Sequence, residues 1–227
     1  MSHESTNPAL KWILIVIVVI TALGAVFIVL FSTYPADEIR AANELQTRGF
    51  TISYNRQAGD MFWQRPTCVS GDGQSITSDD SRLICKLPRL NELIFLRYDA
   101  SGLNLDEIGN CRELVSFEFL EATRFPVSEL NKLTACPVSQ IWVDSKDVHL
   151  KDSDLEEFVK FTHLHTLILE CNNIGVTDAC LEYFEKIPTL NSLRLPGSSL
   201  TPEGIEEFKK TVTQGVALGY VISPFQG

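Results

Sequence analysis

The chain has 227 residues, 44% of them hydrophobic and 21% charged, with a formal net charge of −10. That size allows one membrane segment and one soluble domain. The acidity argues against nucleic acid as a partner, because an acidic domain repels phosphate backbones. Residues 1–11, a short N-terminal tail, hold one acid (Glu4) and one base (Lys11), so the net charge belongs to the rest of the chain.

From Trp12 to Ala36 there is no charged residue, and 12–31 reads WILIVIVVITALGAVFIVLF. A helix over those 20 residues rises about 1.5 Å per residue and spans about 30 Å, the thickness of a bilayer core. A buried soluble helix would show a polar face, and a cleaved signal peptide usually has a shorter apolar stretch. Ala22-Leu23-Gly24 resembles a cleavage site, yet VFIVLF follows it at once. The expectation is a retained single-pass membrane anchor, Trp12–Phe31, followed by a linker at 32–36. Lys11 and the terminal amine flank one side, Arg40 and Arg48 the other, so the positive-inside count is nearly balanced. Large C-terminal domains translocate largely regardless of charge, which favours a domain outside the cytoplasm.

The spacing of DEIRAANELQTR (37–48) predicts an amphipathic helix stopped by Gly49. Phe50 to Tyr54 alternates as a strand does. Residues 37–62 therefore read as an N-terminal cap, which an array of repeats needs over its first open turn. TCV (67–69), GDG and ITSDDSRLICKLP follow as a degenerate first repeat of a domain covering 63–227.

An internal period then appears. The pattern apolar-x-x-apolar-x-apolar recurs at Leu90/Leu93/Phe95, Leu114/Phe117/Phe119, Val138/Ile141/Val143, Leu164/Leu167/Leu169 and Leu190/Leu193/Leu195. The starts are 24, 24, 26 and 26 residues apart. Alternation within each triplet predicts a short strand with one buried face. Ahead of the strands a second pattern keeps step: Leu105/Ile108/Cys111, Leu155/Phe158/Phe161 and Leu181/Phe184/Ile187, with Ile84/Leu87 and Leu130/Leu133/Cys136 as variants. Those spacings predict the inner face of a helix or 3₁₀ turn. Ser153-Asp154-Leu155-Glu156 fits a capping box, and Thr201-Pro202 fits an N-cap followed by proline. Glu156/Lys160, Glu182/Lys186 and Glu206/Lys210 stand four apart on the outer side. Val216 to Ile222 is expected to form a last, irregular strand.

LHTLILECNNIGVTDACLEYFEKIPTL and LNSLRLPGSSLTPEGIEEF resemble leucine-rich repeats, in the cysteine-containing type of about 26 residues, here in a small membrane-anchored form of bacterial type. The resemblance covers roughly residues 63–222, and the first three repeats depart from it in using Phe, Val and Trp where leucine is usual. It implies an α/β, right-handed solenoid of six or seven turns, with parallel strands on a concave face and helices or 3₁₀ turns outside. It also implies a role in binding other macromolecules.

Chemistry of other kinds finds little footing. Six cysteines (68, 85, 111, 136, 171 and 180) include no C-x-x-C pair, so no zinc site is expected. Cys111 and Cys136 take core positions as small hydrophobes, and Cys68 with Cys85 is a candidate disulfide if the compartment is oxidising. His163 and His165 are two apart, and a surface pair is the simpler reading than a metal pair. Asp144, Asp147, Asp152 and Asp154 form an acidic run without the glycine and distal glutamate of a calcium loop. GDGQS (71–75) lacks the lysine of a phosphate loop and reads as a turn. No cofactor, metal or catalytic residue is assigned.

The expected function is a membrane-anchored, non-catalytic module that binds a protein or other macromolecule. A structural spacer at the membrane is the alternative, and an enzyme a remoter one. The binding surface is read from the strands: residues between the last two core positions face away from the core. They are Ile94, Glu118, Trp142, Ile168 and Arg194, expected as one stacked row on the concave face and flanked by Leu96 and Leu120.

Overall fold

The computed structural model describes residues 18–22, 36–55 and 65–213. The chain divides into two compact units, Met1–Ile39 and Arg40–Gly227. In the first, residues 18–22 are helical and exposed. The remainder of the expected anchor Trp12–Phe31 lies outside the described residues, as do the end of the expected cap and the strand expected at Val216–Ile222. Among the described residues no helix is long and apolar enough to cross a membrane.

Helix α1 (Ala36–Thr47) takes the place predicted for 37–48. Gly49 ends it at φ +92°, a left-handed conformation that glycine adopts without steric cost. The chain then enters a seven-stranded sheet in which spatial order equals sequence order. Strand β1 (Thr51–Asn55) runs antiparallel to β2 (Arg65–Asp72). The next strands are β3 (Glu92–Leu96), β4 (Ser116–Leu120), β5 (Gln140–Lys151), β6 (Thr166–Gly175) and β7 (Ser192–Arg194). Each of these lies parallel to its predecessor. This is an α/β solenoid: each turn contributes one strand and one helical return.

The alternation read from the sequence sets the register. Leu93, Phe117, Ile141, Leu167 and Leu193 occupy one continuous row across the ladder. None of them, nor Phe95, Phe119, Val143, Leu169 or Leu195 two places on, exceeds 2% exposure. Where the first repeats carry aromatic residues instead of leucine, the rings pack on one another. Phe50, Phe95, Phe119 and Phe125 follow in a chain with centroid separations of 5.9, 4.8 and 5.1 Å. Tilted and edge-on rings at such distances add to what their buried area contributes.

The opposite wall of the core is built from short returns. They are α2 (Ser78–Ile84), α3 (Leu105–Ile108), a 3₁₀ turn Val127–Ala135, α4 (Asp152–Leu155) with its 3₁₀ continuation Glu156–Lys160, the 3₁₀ turn Asp178–Cys180 running into α5 (Leu181–Phe184), and α6 (Pro202–Thr213). Leu105, Ile108, Leu155, Phe158, Phe161, Leu181, Phe184 and Ile187 all turn inward and are buried, as the spacing predicts. Cys111 and Cys136 are buried with them, at 5% and 4% exposure, which fits their reading as small hydrophobes.

Two local expectations need correction. The capping box predicted at Ser153 does not form: Asp152 is already the first helical residue, and only the reverse half of such a box is present, the Asp154 carboxylate accepting from the Lys151 N–H at 3.0 Å. Of the predicted four-apart charge pairs, Glu156/Lys160 gives way to one three apart, Lys160 with Glu157 at 2.6 Å, and Glu206 meets Lys209 at 2.8 Å while also feeling the Lys210 charge. In the first case the 3₁₀ turn is the reason, since it brings residues i and i+3 into line. Thr201 does cap α6 as expected, its hydroxyl accepting from the Gly204 N–H at 3.0 Å.

The acidic run also acquires a structural use. Asp152 accepts from both the N–H and the hydroxyl of Thr177 in the next turn, at 2.7 and 2.8 Å. Asp178 does the same for Thr201, at 2.8 and 2.6 Å. Each carboxylate satisfies an N–H that the start of a helical return would otherwise leave open, and each bond crosses from one repeat to the next.

These assignments predict a graded series in urea unfolding of the full chain. Leu167→Ala and Leu193→Ala should each cost about 2–5 kcal/mol through lost burial and a residual cavity. Asp178→Ala should cost about 0.5–2 kcal/mol as a lost cap, and Glu182→Ala under about 0.5 kcal/mol. Equal losses at Leu193 and Glu182 would refute the register.

Candidate functional site

Because every second strand residue enters the core, its neighbours must stand on the other face of the sheet. The observed register brings the five predicted residues together. Ser70, Ile94, Glu118, Trp142, Ile168 and Arg194 are successive partners across β2 to β7. Leu96 and Leu120 pair beside them, with Asp72 on one side of the pair. Ile94, Leu96, Glu118, Leu120, Trp142 and Arg194 are partly exposed. Ile168 is not: standing between the bulkier Trp142 and Arg194, it retains only 8% exposure and offers a partner little surface.

Two flanking rows complete the face, of which the sequence reading included only Leu96 and Leu120. Before the central row lie Cys68, Glu92, Ser116, Gln140, Thr166 and Ser192. After it, Asp144 and Glu170 continue the line begun by Asp72, Leu96 and Leu120. The signal was present, since the same period of two, extended one step either way along each strand, gives both rows.

Polar contacts fix the face. One oxygen of Glu118 accepts from the Ser116 hydroxyl at 2.9 Å and from the Gln140 amide at 2.6 Å. The carboxylate is thus held upright beside Trp142. Arg194 and Glu170 approach to 3.5 Å at the far end, and Arg97 pairs with Asp72 at the near end. Among the described residues no ion pair reaches Glu92, Glu118 or Asp144. Partial burial pushes the Asp144 carboxyl up from its ordinary value, with the Lys146 charge opposing the shift. The face therefore joins an apolar centre of Ile94, Leu96, Leu120 and Trp142 to a border with more negative than positive side chains.

The other candidates stay apart from it. His163 and His165 are exposed, and the His165 ring nitrogen Nδ1 meets the His163 carbonyl at 2.6 Å. Among the described residues no group of three or more His, Cys, Asp or Glu side chains is placed to hold a metal ion. Gly71 and Asp72 of GDGQS still belong to β2, and the turn expected over 71–75 is confined to the bend at Gly73, φ +72°, and Gln74. All six cysteines are free thiols, and Cys85 neighbours Cys111 instead of Cys68.

No family model matches the chain, and no curated protein matches it significantly. Among solved structures, an internalin (InlF) from Listeria monocytogenes is similar at 11% identity and a TM-score of 0.43, over 70% of this chain and 48% of that one. This chain thus spans about half that internalin's length. Internalin C2 from the same bacterium is 10% identical with a TM-score of 0.41, over 70% and 81% of the two chains. The leucine-rich-repeat ectodomain of the receptor kinase SOBIR1 from Arabidopsis thaliana is 12% identical with a TM-score of 0.36, over 83% and 93%. At these identities the likeness concerns the fold alone. The α/β solenoid reading rests on the chain's own strand order and register, which the leucine-rich-repeat resemblance of its sequence anticipates.

Proposed function

We propose that this chain is a non-catalytic binding module, anchored in a membrane by residues 12–31, that takes a protein partner on the open face of its sheet. The observation that carries the reading is the row itself. Side chains that the core does not need are aligned across six strands, and they include Ile94, Trp142 and Arg194 with Leu96 and Leu120 alongside. Aromatic and arginine residues dominate interface energies, and an apolar centre within a polar border is the anatomy of a protein-binding patch. The polar groups stand on an open surface and do not converge in a closed pocket, which favours binding over catalysis.

The charge narrows the partner. Glu92, Glu118 and Asp144 border the apolar centre without ion-pair partners among the described residues, in a chain of net charge −10. An extended segment carrying both basic and apolar side chains complements that arrangement. The anchor reading is supported by the uncharged stretch from Trp12 to Ala36. With the N-terminus inside, the module stands outside the cytoplasm.

Two experiments test these statements. Photo-crosslinking from a benzophenone side chain placed at Ile94 in intact cells identifies the partner. Trp142→Ala and Glu118→Gln in the full chain should then each weaken its binding by more than about 1 kcal/mol without loss of folding. Lys160→Ala and Lys186→Ala, on the helical side, should leave affinity unchanged. The reverse pattern would refute the open-face assignment. For the anchor, the full-length chain should remain with the membrane fraction after a carbonate wash, and recovery in the soluble fraction would refute it.

A further inference from the structure

The six thiols are not equivalent. Burial pushes Cys68 and Cys136 up to about 11 and Cys171 and Cys180 up to about 12, as expected of thiols used as packing. Cys85 and Cys111 differ because they meet. Their Sγ atoms lie 3.3 Å apart, although the residues are 26 positions apart in sequence. The repeat brings this about. Cys85 caps the C-terminal end of α2, and Cys111 follows α3 at the same level of the next turn. The Cys85 thiol also reaches the Glu107 carbonyl, at 2.7 Å. With its hydrogen directed there, Cys111 is left to donate to the Cys85 sulfur. Cys85 is half-buried, whereas Cys111 is 5% exposed. Of the two, only Cys85 offers a reagent a way in.

We propose that Cys85 and Cys111 are an oxidisable pair that closes into a disulfide, joining the β2–α2 turn of the solenoid to the β3–α3 turn. A disulfide bond is about 2.05 Å long, so the sulfurs must approach by roughly a further ångström. The oxidant is a low-molecular-weight disulfide, RSSR. The Cys85 thiolate attacks one of its sulfurs, forming a mixed disulfide and releasing RS⁻, which takes up a proton. Cys111 then loses its proton to solvent, and its thiolate attacks the Cys85 sulfur and expels the second RS⁻. Two protein thiols are oxidised to one disulfide, and RSSR is reduced to two RSH. The hydrogen bond to Cys85, and then burial, hold the Cys111 proton above its ordinary value, and the half-buried Cys85 is the thiol a reagent reaches first. The bond lies on the helical side of the core and leaves the open face free. It would tie the two turns that carry Ser70, Ile94 and Leu96.

The test uses the purified full-length chain in buffers of graded oxidised and reduced glutathione, followed by alkylation in denaturant, proteolysis and mass spectrometry. The expected product is one cross-linked peptide pair holding Cys85 and Cys111, with Cys68, Cys136, Cys171 and Cys180 alkylated. Oxidation should raise Tm by roughly 5–10 °C, and a reductant should reverse the rise. Cys136→Ser should leave the cross-link intact. Cys111→Ser should abolish it and leave Cys85 as the glutathione adduct. Should Cys111→Ser fold poorly, Cys85→Ser at the half-buried site should leave Cys111 as a free thiol under the same conditions. Wild-type chain that ends with glutathione on Cys85 and no internal link, or with Cys85 linked to any other cysteine, overturns the proposal.

Discussion

No repeat in this chain can bury its own inner face. A single turn offers one strand of three to twelve residues and a helical return often only one turn long, and its leucines and phenylalanines are covered only when another turn lies on either side. Everything else follows from that dependence on neighbours. The backbone makes it directional. Ser116 N–H donates to the Asn91 carbonyl, Gln140 to Val115, Thr166 to Ser139 and Ser192 to His165, one repeat back each time. Asp152 and Asp178 add a side-chain bond in the same direction, each closing the N-terminus of the following return. A substitution in one repeat is therefore felt as a weaker interface with the next.

An array of this kind fails at its ends unless they are closed. At the N-terminal end the chain supplies an antiparallel strand, β1, which pairs with β2 and covers its free edge. Arg48 then crosses to Asp80 at 2.9 Å, and the Asp80 carboxylate also accepts from the N–H and hydroxyl of Thr77, at 2.8 and 2.6 Å. Asp80 is thus both the N3 partner of Thr77 in the capping box of α2 and the counter-ion of the segment that closes the array. It is 3% exposed, where an unpaired carboxylate would be costly. The bond to Asp80 is the foremost reason that the Arg48 guanidinium is held above its ordinary value.

How much of this was legible in the sequence depended on what each feature needed. The strand cores needed only periods of two and three, so Leu93, Leu167 and Phe184 could be assigned from spacing. The central row of the open face followed from the same period. Features that depend on a partner some 25 residues away were not legible. Asp152 looked like a member of an acidic run and Asp178 was given no role, because nothing local shows that Thr177 and Thr201 stand above them. Cys85 was matched with Cys68, its neighbour in sequence, whereas the turn of the solenoid brings it to Cys111. The longer repeats behaved similarly. Their two extra residues signalled a change in spacing, but nothing local announced the register shifts between Ser145 and His149 and between His149 and Lys151, past the inward residues Ile141 and Val143. A bulge of that kind lengthens the strand without disturbing the inward row.

The same periodicity that fixes the core leaves the open face chemically free. Inward positions accept a narrow range of apolar side chains, since a change of even one methylene is felt in a packed interior. Outward positions carry no such restriction, yet here they are not filled at random. Glu118 is held by Ser116 and Gln140, and Arg194 stands near Glu170. Ordering long polar side chains costs conformational entropy that an idle surface has no need to lose. On a face whose centre is Trp142, Leu96 and Leu120, the loss is compensated if those carboxylates meet a partner already in position, because pre-organised groups give up less freedom on binding. The burial that raises the Asp144 carboxyl acts in the same sense: a cationic group brought to that edge restores the solvation that folding removed. Core and face thus divide the strand residues between them, one parity packed in the interior and the other left on the open surface.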